Sequence, residues 1–221
     1  MAGPWVKLVS AAVAAAAVWA GGCSRSDPMA SGAAADQGER VKAVRELGRE
    51  GSDAAVAQLE PLLAHEDPRT ALEACGALGR SGRPRAARVL ATALRGDVRP
   101  EVRTEAAVQL GYSREPEAAD ALRQAVQSDS EPFVRGAAAA ALGKIGQLAD
   151  VPLLVRVAET DKQPLVEAAA VKAVEKMTVM GFCYDPAAPE EERQAAIRRM
   201  RFWALRVAAI LEERRKKEDR P

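Results

Sequence analysis

Hydrophobic and polar positions alternate along this chain on two scales. Locally, apolar side chains fall three and four residues apart, the spacing of one face of an α-helix. On a longer scale, from about residue 37 to Val174, the same arrangement returns about every 32 residues. A Leu-Gly pair occurs at Leu47-Gly48, Leu78-Gly79, Leu110-Gly111 and Leu142-Gly143, and a further step of 32 reaches Val174. Pro68, Pro100, Pro132 and Pro164 each stand ten residues before such an anchor. Small residues precede it at Ala43-Val44, Ala74-Cys75, Ala106-Ala107, Ala138-Ala139 and Ala170-Val171. Self-similarity at a fixed period of about 20–50 residues marks a stack of supersecondary units, none of which can bury its apolar face alone.

Each recurring position predicts local structure. Proline opens the first helix of a unit, because the N–H it lacks is one that a helix start leaves unpaired. Asp67 and Glu131, directly before two of the prolines, put negative charge at the positive helix end. Alanines allow close helix approach, and the anchor leucine fills the groove. The glycine after it is expected to take positive φ and stop the helix. A second helix follows, with apolar residues 9, 12, 15 and 16 positions past the anchor: Val56, Leu59, Leu62 and Leu63; Ala87, Leu90, Ala93 and Leu94; Ala119, Leu122, Ala125 and Val126; Val151, Leu154, Val157 and Ala158.

After Val174 the register is expected to break. The first helix of the fifth unit runs to about Met180, and Gly181–Pro186 reads as a loop. Glu190-Glu191-Glu192 then supplies an acidic first turn for a long helix. Its apolar stripe is Ala196, Met200, Trp203, Val207, Ile210 and Leu211. A terminal unit must cover the last exposed apolar face of a stack, so this helix reads as a cap, with Tyr184 and Trp203 as packing residues.

The strings PEVRTEAAVQLG (100–111) and PFVRGAAAAALGKIG (132–146) resemble the first helix of HEAT repeats, in the short form also found in phycobilisome-lyase-type proteins. Arg103 and Arg135 occupy that family's recurrent arginine position, and Asp97 and Asp129 the acidic position before it. Ala71 and Glu167 replace the arginine in units two and five. The resemblance covers residues 37–180 and implies an all-α fold: an α-solenoid of about five HEAT-like helical pairs with a long C-terminal capping helix. Asp97–Arg103 and Asp129–Arg135 are expected to serve as caps and inter-repeat bridges.

Residues 1–22 read as a signal peptide. Lys7 supplies positive charge, and Leu8 to Ala20 is an apolar run of about 13 residues, short of the roughly 20 a membrane span needs but suited to a secretory leader. Ala20-Gly21-Gly22-Cys23 resembles the lipobox of bacterial lipoproteins, with Ala20 where that family usually has leucine. The resemblance implies a lipidated Cys23; the alternative is an ordinary cleaved leader followed by an incidental cysteine. Ser24 in place of aspartate implies, by resemblance to the enterobacterial sorting rule, a lipid-anchored protein of the bacterial cell envelope, at the outer membrane facing the periplasm. Residues 23–36 read as a flexible tether reaching roughly 20 Å. Residues 37–180 are the solenoid, and 181–221 its closing loop and cap.

Composition narrows the function. Hydrophobic residues make up 48% of the chain but aromatics only 4%, which suits close helix packing. The 32 basic and 31 acidic residues nearly cancel, so no nucleic-acid partner is expected. His65 is the sole histidine, and there is no HExxH, Walker loop, GxGxxG or nucleophile elbow. No catalytic, cofactor-binding or metal-binding residue is therefore expected. Cys75 lies in the second unit and Cys183 just past the first helix of the fifth. Stacked pairs advance about 10 Å each, which sets the two roughly 30 Å apart, beyond the span of about 7 Å that a disulfide allows. Cys75 fills a small-residue packing slot and reads as a buried thiol, while an intermolecular bond through Cys183 stays open. The reading is a membrane-tethered scaffold, not an enzyme, that binds a protein partner through the outward positions of its second helices: Arg88, Arg95, Asp120, Arg123, Arg156 and Glu159. A bilin-lyase-like cofactor chaperone or enzyme, and a purely structural envelope protein, are the alternatives.

Overall fold

The structure is a computed structural model that describes residues 33–113 and 115–218, and among these all regular structure is helical. The leader, Cys23 and most of the tether lie outside the described residues. The elements are α1 (Ala33–Glu50), α2 (Asp53–Leu59) with a 3₁₀ turn (Glu60–Ala64), α3 (Pro68–Ser81), α4 (Pro84–Gly96), α5 (Pro100–Leu110), α6 (Pro116–Ser128), α7 (Pro132–Ile145), a 3₁₀ turn (Leu148–Asp150) leading into α8 (Val151–Thr160), α9 (Pro164–Thr178) and α10 (Glu190–Glu218). α1 begins four residues before the boundary at residue 37. Ala33, Ala34 and Ala35 form this first turn, and alanine has the highest helix propensity of any residue.

All four periodic prolines occupy the first helical position, and Pro84 and Pro116 do the same for second helices. Asp67 is a full N-cap: it accepts from the Arg69 and Thr70 N–H groups, each at 3.2 Å. Glu131 caps α7 through backbone position alone.

The anchor glycines do something other than stop helices. Gly111 keeps ordinary helical angles at the end of α5. Positive φ falls instead at Gly51, Gly82 and Gly146, three residues past the anchor glycine in each case. What the anchor glycine supplies is room. A Cβ built on Gly48 would lie 2.8 Å from the Ala77 Cβ, one on Gly111 3.0 Å from Ala141, and one on Gly143 2.7 Å from the Ala173 Cα and Cβ. Each glycine is thus the place where one first helix meets the next.

The chain divides within α4 into two compact units, one ending at Val89 and one beginning at Leu90. In the first, α1 packs on α3, and α2 with its 3₁₀ turn packs against both. Val44, Leu47, Val56, Leu59 and Leu78 form its core. In the second, the first helices α5, α7 and α9 pack in succession, α6 packs on α7, α8 on α9, and α10 on α8. Its core is Leu110, Leu122, Leu142, Leu154, Val174, Ile197 and Met200. Of the sixteen apolar positions read from the second helices, only Leu62 and Ala93 are not fully buried. Cys75 is buried, Cys183 is exposed, and neither forms a disulfide.

The cap departs from its expected stripe. Ala196 and Met200 are buried, as are Ile197 and Ala204, but Trp203 and Val207 are half-buried and Ile210 is exposed. The side chain of Leu211 is outside the described set. The reason is length. Ten-residue α8 offers about 15 Å of supporting surface, whereas a 29-residue helix runs about 44 Å, so α10 outreaches its support. The loop before it is pinned instead: the Phe182 ring meets Trp203 edge-on at 6.1 Å, and Arg199 donates to the Phe182 carbonyl at 2.8 Å.

Gly143→Ala forces backbone apart and lowers unfolding free energy by about 1–3 kcal/mol, whereas Gly96→Ala, with open space around the new Cβ, stays within about 0.5 kcal/mol; urea denaturation measures both. Asp67→Ala costs about 1 kcal/mol. The Thr70 hydroxyl and the Gln37 amide hold the Asp67 carboxyl down at about 2. Because this value lies below that of the unfolded chain, the carboxylate's contribution is complete above about pH 4 and is lost as pH falls toward 2. The variant therefore shows a shallower fall in melting temperature across that interval.

Candidate interaction surface

The recurrent arginines reach forward by one repeat. Arg103 Nε and Nη2 each donate to the Asp129 carboxylate at 2.8 Å, while Nη1 donates to the Asp97 carbonyl at 3.0 Å. Arg135 repeats this on Asp161, at 2.7 and 3.1 Å, with Nη1 on the Asp129 carbonyl at 2.9 Å. The expected side-chain pairs Asp97–Arg103 and Asp129–Arg135 are therefore shifted. The arginine takes its own repeat's aspartate by the main chain and the next repeat's by the carboxylate. Asp97's carboxylate goes to Arg99. The planar fork of an arginine matches a carboxylate bidentately, and a lysine here would not.

Burial pushes the Asp129 and Asp161 carboxyls up, but the hydrogen bonds and charges of Arg103 and Arg135 outweigh it, and both end below the usual carboxylate range. The same bonds raise the two guanidinium values.

The ladder then changes sign. Position 167, in the arginine slot, holds a buried glutamate, and position 193, a further 32 residues past Asp161, holds an arginine. Arg193 Nε donates to Glu167 Oε1 at 2.9 Å, spanning the same 26 residues as the two rungs before it. The Tyr184 hydroxyl donates to the same oxygen at 2.9 Å; burial, then this carboxylate, pushes its phenol up to about 12. The polar register thus continues past Val174 into the cap, though the apolar one changes there. The signal was present in the sequence as an exchange of charge at positions 167 and 193.

The six outward residues read from the second helices have different fates. Arg88 is exposed on α4 within the first unit; the other five belong to the second. Arg123 is committed to the fold, donating to Asp150 at 2.6 Å, to Gln147 at 2.7 Å and to Asp120 at 2.7 Å. Glu159 lies 3.5 Å from Arg201 of α10. Arg156 and Arg95 are exposed and make no ion pair among the described residues.

Arg95 borders a groove of about 440 Å³ between the C-terminal ends of α4 and α6 and the loops that follow them. The Arg103–Asp129 rung lies in its wall, and Gln124, Ser128 and Ser130 add polar groups. Val98, on the rim, is 88% exposed. Among the described residues no three His, Cys, Asp or Glu side chains gather as a metal site, and no helix is long and apolar enough to cross a membrane.

The sign change at the cap is directly testable. Glu167→Arg sets two guanidinium groups against each other and lowers stability by about 2–4 kcal/mol. Adding Arg193→Asp restores the rung in the polarity of the earlier ones and recovers more than half the loss, as a double-mutant cycle in guanidinium chloride would read.

No curated protein matches this chain. Among solved structures, the complex of CpcE and CpcF of phycocyanin lyase from Nostoc sp. PCC7120 matches at 27% identity and a TM-score of 0.50, covering 73% of this chain and 68% of that one. An engineered protein matches at 19% identity and a TM-score of 0.44, over 76% of this chain and 90% of that one. The family model for HEAT repeats matches twice, at residues 26–111 and 88–175, and with the helical pairs and their 32-residue register this places the chain in the HEAT-repeat family.

Proposed function

We propose that this protein is a HEAT-repeat scaffold that binds a protein partner at the groove beside Arg95, held at the bacterial cell envelope by a lipid on Cys23. The observation that carries the reading is the contrast in that groove. The Arg103–Asp129 rung in its wall serves the fold, whereas Arg95 and Val98 are exposed and tie nothing together. Arginine beside an apolar residue over a concave surface is a recurrent interface composition. Arg156 extends the exposed cationic character of the second helices. Arg123, fastened on three sides, contributes shape instead. The similar phycocyanin lyase structure is itself a complex of two proteins, which accords with this reading.

The anchor rests on residues alone: an apolar run ending in Gly21-Gly22-Cys23, followed by a polar stretch. Two or more acyl chains hold a protein firmly at a bilayer, where one does so only marginally. Ser24 favours the outer membrane, with the repeats facing the periplasm.

A second reading, favoured by the same likeness, is a bilin-handling role. An absorbance titration of the purified protein with a linear tetrapyrrole separates the two, since a bound bilin shifts the visible band.

Crosslinking in intact cells tests the scaffold reading. The wild type is expected to give a defined crosslinked protein whose yield falls at least fivefold in the Arg95→Glu, Val98→Asp double variant. An unchanged yield removes the groove. Cys23→Ala is expected to abolish incorporation of labelled palmitate and release the protein from membranes; a wild type that takes up no palmitate ends the anchor proposal.

A further inference from the structure

The first helices of the second unit carry an outward face that the fold does not explain. On α7 the exposed row is Phe133, Ala137, Ala140 and Lys144, with Ala137 half-buried. On α9 the corresponding row, 32 residues on, is Leu165, Ala169, Lys172 and Lys176, with Ala169 half-buried. Phe133 is 69% exposed and Leu165 47%. Leu165 lies beside Gly136, one turn from Phe133: a Cβ built on that glycine would sit 3.6 Å from the Leu165 Cγ. Two large apolar side chains thus mark one end of a shallow, alanine-floored strip.

The other end is cationic. Lys144, Lys172 and Lys176 make no ion pair among the described residues. Lys144 and Lys176, with Tyr112, border a groove of about 750 Å³ at the C-terminal ends of α5, α7 and α9, and no carboxylate lines it. The Lys144 ammonium sits 4.1 Å from the centre of the Tyr112 ring, an exposed aromatic that steadies it without neutralising it. A helix dipole accounts for a cation in the last turn of α7 and of α9. It does not account for Lys172, or for Phe133 and Leu165 in water. The strip ends at α5, where the matching positions are Glu101 and Glu105.

We infer that the outer faces of α7 and α9 dock an acidic segment of a partner protein, with its apolar residues on Phe133 and Leu165 and its carboxylates on Lys144, Lys172 and Lys176. The occupant follows from charge complementarity: Lys144 and Lys176 border a groove without acidic lining, Lys172 stands exposed one turn before Lys176, and the strip ends in an apolar anchor point. Phe133 and Lys144 are eleven residues apart on one helix, about 16 Å, so a helical segment of about a dozen residues with leucines at one end and glutamates at the other spans the strip. This rests on the scaffold reading but uses a different face from the Arg95 groove, so the two can fail separately.

The test uses fluorescence anisotropy of the full chain with a labelled twelve-residue peptide, helical, leucine-rich at one end and glutamate-rich at the other. Saturable binding in the micromolar range is expected, weakening as salt rises. It should fall at least tenfold in Lys144→Glu, Lys172→Glu, Lys176→Glu and at least fivefold in Phe133→Ser, Leu165→Ser, and stay unchanged in Arg95→Glu. All these positions are exposed, and circular dichroism checks that each variant folds. No saturable binding, equal binding of a peptide with lysines in place of glutamates, or binding untouched by both sets of variants overturns the inference. So does preferential binding to phosphatidylglycerol vesicles that leaves the peptide unbound.

Discussion

Neighbouring first helices meet with a glycine of one against an alanine of the next: Gly48 on Ala77, Gly111 on Ala141, Gly143 on Ala173. Everything larger depends on that spacing. With the first helices so near, the anchor leucines Leu78, Leu110 and Leu142 fill the groove completely, and the second helices can be short and alanine-rich yet still bury their stripes. Close approach substitutes for large side chains, which is how a chain with only 4% aromatic residues builds a closely packed, buried core. A single added methyl at these points meets the Cα and Cβ of an alanine, neither of which can turn away by a rotamer change, so the site cannot adjust locally.

Packing of this kind brings neighbours together without distinguishing one neighbour from another, and the arginine ladder adds the distinction. Arg103 and Arg135 each join the main chain of their own repeat to the carboxylate of the next, so the rung forms only when two repeats meet in the right order. At the end the polarity is exchanged. Glu167 faces Arg193 of the cap, and an aspartate from one more ordinary repeat would meet a like charge there. The reversal makes the cap the preferred neighbour of the fifth first helix, a form of specificity achieved by repulsion as well as attraction.

Much of the fold was legible in the sequence because period, proline position and apolar stripe have local causes. Pro68, Pro100, Pro132 and Pro164 needed only the missing N–H to be placed. What escaped was what depends on a second chain segment. The anchor glycines look like helix stops in one dimension, and only the neighbouring alanine shows them as contact points. The partner of Arg103 could not be chosen between Asp97 and Asp129 from spacing, since both lie within reach on adjacent turns of the stack. Ile210 fits the apolar period of α10 but lies beyond the end of the helix beneath it. Of the outward residues, Arg123 and Arg95 have the same sequence character, and geometry alone separates the bound guanidinium from the exposed one. Phe133, Leu165 and the three lysines passed unnoticed, because a face shared by two helices is visible only once they stand side by side.

Stability in residues 90–218 is passed from repeat to neighbouring repeat and not held in one shared core. Native-state hydrogen exchange on Arg135→Met, which removes the rung to Asp161, measures this most directly. Nearest-neighbour coupling predicts that amide protection is lost in α9 and α10 while α5 and α6 keep theirs. An equal loss of protection throughout residues 90–218 would contradict it.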